Sequence, residues 1–127
     1  MSQVRELVGV YDADGGIRGE LAYVLGKLRG TRHCALCDVT HSPIRRKREW
    51  DELIARLGVQ FELLHLNECS AEVRSLLQPA PFVAARIDGE LLVVLTAAEL
   101  DALDGSVARF EVALRAALQR RGLLLVG

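Results

Sequence analysis

Hydrophobic residues follow two spacings along the chain, one typical of strands and the other of helices. Short apolar runs predict buried strands at 6–11 and 59–66, the second of which reads as a central strand. Apolar residues that recur every three or four positions predict helices that end at a glycine or before a proline. The predicted helices cover 19–30, 50–57, 70–78 and 106–122. This order of elements is typical of an α/β fold.

Residues 80–95 form the clearest predicted unit, a β-hairpin. Two β-rich runs are joined by Asp88-Gly89, a dipeptide that strongly favours a tight hairpin turn. Pro81 opens the first run, where a missing backbone N–H costs least. Thr96, with Glu99 three residues later, then predicts a capping box at the start of a helix. The C-terminal part of the chain is therefore expected to be a hairpin followed by helix.

The segment HCALCDVT, at 33–40, is ambiguous. It is apolar enough for a short strand, yet it carries Cys34 and Cys37 and equally fits a loop. Both alternatives place the cysteines before the helix predicted to begin near Trp50. That helix has Trp50, Leu53 and Leu57 on one face, so we expect Trp50 in the core.

Composition narrows the possible classes of protein. The chain has 127 residues, of which 50% are hydrophobic and 26% charged, and this predicts one globular domain over 1–127. The net charge of −1 gives no reason to expect nucleic acid or an anionic membrane as partner. The first residues do not resemble a signal peptide, and no apolar run reaches the ~20 residues needed to span a bilayer. We therefore expect a cytoplasmic protein whose three cysteines are reduced thiols, ligands or redox groups and not a disulfide framework.

The order of these motifs resembles the thioredoxin superfamily. The resemblance rests on Cys34-x-x-Cys37, on the helix that contains DELIA at 51–55, on the strand that ends at Leu66-Asn67, and on Ala80-Pro81 before the hairpin. It implies a thioredoxin-like α/β fold. Such a fold would have a central mixed sheet of four to five strands, helices on both faces, and a C-terminal hairpin plus helix.

The resemblance also implies a function, thiol-disulfide exchange. Cys34 would be the nucleophile, Cys37 the resolving thiol, and Pro81 the cis-proline that faces the dithiol. A Cys34 thiolate would attack a disulfide of a protein or a small molecule, and Cys37 would then resolve the mixed disulfide. The basic run at 45–48 could supply the cations that lower the pKa of an attacking thiol.

A second interpretation gives the same residues a non-catalytic role. Cys34, Cys37 and His41 are suitable ligands for zinc, with His33, His65 or Cys69 as a fourth. Alternatively, both cysteines only fill the core, because reduced cysteine is one of the most buried residue types. In either case the chain would be a binding protein on the same scaffold, and no cofactor other than this zinc is expected.

The remaining candidate residues have simpler expected roles. The basic run at 45–48 is expected to be a solvated helix face, and His65 is expected to be a structural histidine within its strand. Cys69 is expected to be a spare thiol that, if exposed, could crosslink a homodimer. The apolar tail at 123–126 could add an edge strand, dock on the core or form a self-association surface.

Overall fold

A computed structural model describes residues 2–12, 35–40 and 47–125, which form strands and helices in a mixed order. The strands are β1 (Ser2–Val4), β2 (Glu6–Val10), β3 (Gln60–Leu64), β4 (Phe82–Ile87), β5 (Glu90–Leu95) and β6 (Leu123–Leu125). The helices are α1 (Ala35–Thr40), α2 (Arg48–Leu57), α3 (Ala71–Arg74), α4 (Ala97–Asp101) and α5 (Val107–Arg120), with a 3-10 turn at Leu66–Glu68. The predicted α/β class is confirmed, and the helix predicted at 19–30 lies outside the described residues.

The main sheet has four strands in the order β3-β2-β4-β5. β3 runs parallel to β2, while β4 is antiparallel to both of its neighbours. The predicted mixed sheet is therefore confirmed, but the prediction that the strand near 59–66 is central is wrong. β3 lies at an edge of the sheet and carries the exposed Glu62 at its centre, whereas β2 is central and almost wholly buried. The sequences of β2 and β3 are both apolar, so apolar character alone did not distinguish the central strand from the edge strand.

The hairpin predicted at 80–95 is confirmed. Ile87 pairs with Glu90 across the turn, and the two turn residues Asp88 and Gly89 have φ values of 38° and 85°. Two left-handed residues in succession are characteristic of the turn that matches the natural twist of paired strands. The Asp-Gly dipeptide therefore sets the register of β4 against β5.

Helices cover both faces of the sheet, as predicted. Successive side chains of a strand point to opposite faces, and those of β4 alternate between two hydrophobic clusters. Val83 and Ala85 belong to the larger cluster, and Phe82 and Ala84 belong to the smaller one. Helices α1, α2, α4 and α5 contribute to the larger cluster and α3 contributes to the smaller. We call these sides the large face and the small face.

The large face is built around aromatic rings. The ring of Trp50 is 1% exposed, and its centroid lies 5.0 Å from that of Phe61 and 5.2 Å from that of Phe110. Both pairs are edge-to-face, an arrangement that adds to the stabilisation from burial alone. The buried residues of α5 are those that its spacing predicts: Val107, Phe110, Leu114, Ala117 and Leu118.

Helix ends were also predictable from short motifs. The Thr96 hydroxyl accepts a hydrogen bond from the backbone N–H of Glu99, and the Glu99 carboxylate accepts one from the backbone N–H of Thr96. The Ser106 hydroxyl accepts from the N–H of Arg109 at the start of α5. Helix α2 ends at Gly58, whose φ of 69° is the left-handed conformation that glycine adopts most readily.

A charged clamp fastens α3 to the small face. The Arg86 side chain on β4 donates from Nε to Glu6 at 2.7 Å and from both terminal nitrogens to Glu72 at 3.0 and 2.8 Å. Such a bidentate contact between Arg86 and Glu72 fixes both side chains in one geometry. The hydrogen bonds from Arg86 hold the pKa of the Glu72 carboxyl below its ordinary value.

The two ends of the described chain meet in a second, two-stranded sheet. β1 pairs with β6 in parallel, with Ser2 opposite Leu123 and Val4 opposite Leu125. Of the three roles considered for the apolar tail, the structure shows two, because β6 adds a strand beside β1 and Leu123 also docks on the hydrophobic core. β1 was not predicted, because three residues are too few for a visible alternation.

Candidate functional site

Cys37 lies on a helix within the core. It is 7% exposed and belongs to the large-face cluster together with Leu36 and Val39 of the same helix, α1. The prediction that 33–40 is a strand or a loop is therefore wrong for 35–40. The buried positions Leu36, Val39 and Thr40 are spaced three and four residues apart, which is the helical period.

Helix α1 packs very closely on β2 because β2 has a glycine at the contact. A Cβ atom placed on Gly9 would lie 3.1 Å from Cδ2 of Leu36 and 3.0 Å from Cδ2 of Leu63. These distances are below ordinary van der Waals contact, so a side chain at Gly9 would push the helix or its neighbours away. Gly9 thus allows the N-terminal half of α1 to sit over the middle of β2.

The C-terminal end of α1 forms a hydrogen bond with Tyr11, the residue that follows β2. The Tyr11 hydroxyl and the Thr40 hydroxyl lie 2.9 Å apart, and both side chains are buried. The Thr40 carbonyl also accepts from the backbone N–H of Lys47 at 2.8 Å. Helix α1 therefore runs along β2 so that its C-terminal end, not its N-terminal end, is next to Tyr11.

Pro81 lies where the end of β2 meets the start of β4. The Ala80–Pro81 peptide bond is cis, and the Pro81 side chain is buried. Val10 pairs with Phe82, so the continuation of that register places Tyr11 opposite Pro81. We call the edge of the sheet at which β2 and β3 end, formed by Tyr11, Asp12 and His65, the carboxyl edge.

The other predicted ligands and thiols cannot be assembled around Cys37 from the described chain. Cys34, His41 and His33 lie outside the described residues. The described residues therefore define neither the distance between Cys34 and Cys37 nor the arrangement of the zinc ligands Cys34, Cys37 and His41. Within 2–12, 35–40 and 47–125, no three His, Cys, Asp or Glu side chains converge closely enough to hold a metal ion.

His65 is held in a defined orientation at the carboxyl edge. Its Nδ1 atom lies 2.6 Å from the Glu68 carboxylate, and the same oxygen accepts from the His65 backbone N–H at 2.7 Å. Its ring is tilted against that of Tyr11, with centroids 5.1 Å apart. The sequence analysis gave His65 two alternative roles, a structural histidine within its strand or a fourth zinc ligand, and the structure places it directly after β3. The signal that was overlooked is Glu68, three residues away, immediately beyond the strand end.

Cys69 lies in the smaller cluster beside the carboxyl edge. Its Sγ atom donates a hydrogen bond to the His65 carbonyl oxygen at 3.5 Å, and its side chain is half-buried. Burial raises the pKa of the Cys69 thiol above its ordinary value. Because the thiolate is the reactive form, this environment makes Cys69 a poor nucleophile at neutral pH.

The basic run divides into residues with different roles. Lys47 donates from Nζ to the Gly105 carbonyl at 2.6 Å and so ties the start of α2 to the loop before α5. The Arg48 side chain is 93% exposed and lies 3.5 Å from Glu52, as expected for a solvated helix face. Residues 45 and 46 lie outside the described chain.

Comparison with known proteins adds no family. No protein-family model, curated protein or solved structure matches this chain significantly. Of the helices in the described segments, none combines the length and the apolar character that crossing a lipid bilayer requires.

Proposed function

We propose that this chain is a thioredoxin-like domain that acts by binding, with Cys37 serving as a core residue and not as half of a redox pair. The thioredoxin-like part is supported by the order of elements. A parallel β2–β3 pair is followed by the antiparallel β4–β5 hairpin and a closing helix, and Pro81 directly precedes β4. The fold alone does not specify an activity, because common scaffolds carry unrelated functions.

The direction of α1 carries the non-catalytic part of the proposal. A dithiol at the start of a helix gains from backbone amides that act within about one turn. In this chain, it is the C-terminal end of α1, through Thr40, that contacts Tyr11 opposite Pro81. The end of α1 that lies next to Tyr11 is therefore its C-terminal end, which offers backbone carbonyls and not amides to a neighbouring thiol.

The burial of Cys37 supports the same conclusion. Cys37 is 7% exposed and packed among apolar side chains, as expected for a reduced cysteine that fills the core. Thiol-disulfide exchange by Cys34 and Cys37 is the second candidate function, and α1 favours it in one respect. Cys37 lies on a helix, where the sequence pattern predicts a strand or a loop, and a helix is a setting in which a dithiol can be activated.

A reduction assay distinguishes these two candidates. The wild-type protein and its Cys34→Ser and Cys37→Ser variants would each be mixed with insulin and dithiothreitol, and precipitation of the reduced insulin chains would be followed. We expect all three proteins to match the rate of dithiothreitol alone. A wild-type acceleration that both variants lose would overturn the proposal in favour of the redox pair.

Elemental analysis of protein purified without chelator tests the zinc alternative. The binding role proposed here needs no metal, so we expect far less than one zinc per chain. About one zinc per chain, lost in the Cys34→Ser variant and in His41→Ala, would instead assign the segment 33–41 to a metal site.

A further inference from the structure

We draw no further inference here: the strongest candidate, the groove between helices α2 and α5, is an acidic cluster in which Glu52 and Glu111 already pair with arginines, and no buried unpartnered polar side chain among the described residues points to a ligand there.

Discussion

Among the described residues, the two faces of the sheet differ in the side chains that pack on them. On the large face, four helices cover a core in which Trp50 and Phe110 are almost wholly buried. On the small face, the described chain provides the one-turn helix α3, a few partly buried side chains such as Cys69, and the Arg86 clamp. Most of the buried hydrophobic side chains of the described residues, Cys37 among them, therefore lie on the large face.

The largest difference should appear on truncation of one buried side chain from each face. Phe110→Ala should lower the free energy of unfolding by about 3–5 kcal/mol, the usual cost of removing a buried aromatic ring. Val73→Ala on the small face removes two methyl-sized groups and should cost about 1.5 kcal/mol. Urea unfolding measures both values. Equal losses would mean that the two faces do not differ in stabilising power.

The same substitution, cysteine to serine, can be made on each face of the sheet, at Cys37 and at Cys69. Cys37→Ser places a hydroxyl in the large-face core and should cost on the order of 1–3 kcal/mol. Cys69→Ser is the matched control, because Cys69 is only half-buried, and it should cost about 0.5 kcal/mol. The measurement is the urea concentration at the midpoint of unfolding, compared between variants whose unfolding transitions have the same slope. If Cys37→Ser were as mild as Cys69→Ser, the assignment of Cys37 to the core would be contradicted.

The contact that sets the direction of α1 should have a smaller effect. Tyr11→Phe and Thr40→Val each remove one hydroxyl of the buried pair, and each should cost about 1 kcal/mol. In the double variant the two costs should not add, because both hydroxyls of that hydrogen bond are then absent. Additive losses in this double-mutant cycle would show that the two hydroxyls do not interact.

The smallest expected effect is a change with pH in the stability that the contact between Arg86 and Glu72 provides. The pKa of Glu72 is lowered in the folded protein by its hydrogen bonds to Arg86, from an ordinary value of 4.5. Its stabilising contribution is therefore complete above that value and is lost as the pH falls through the folded pKa. The gap in urea midpoint between wild type and Arg86→Met should narrow from pH 7 to pH 3. A gap that stays constant would exclude Glu72 as the titrating partner.

Local rules predicted much of the fold from the sequence. Asp88-Gly89 set the hairpin, Thr96 and Ser106 capped the helices, and the spacing along α5 gave its buried face. In each case a few neighbouring residues determine the geometry through their own backbone preferences and hydrogen bonds. These parts could be predicted because they do not depend on distant partners.

Long-range contacts explain what the sequence pattern did not predict. The position of helix α1 depends on its packing against β2 at Gly9 and on the hydrogen bond between Thr40 and Tyr11. The edge position of β3 likewise depends on which strands pair. At the candidate site, the role of His65 depends on how its ring meets Glu68 and Tyr11, and residue type alone gave no sign of this.

The most direct test of the central claim is pulsed alkylation of the native protein, with each cysteine followed by peptide mass spectrometry. A brief exposure to iodoacetamide at neutral pH would be compared with the same exposure in concentrated urea. The account predicts that Cys37 remains unmodified in the native protein and reacts fully once unfolded. Rapid native labelling of Cys37, or its recovery in a disulfide with Cys34 that opens on mild reduction, would contradict the account.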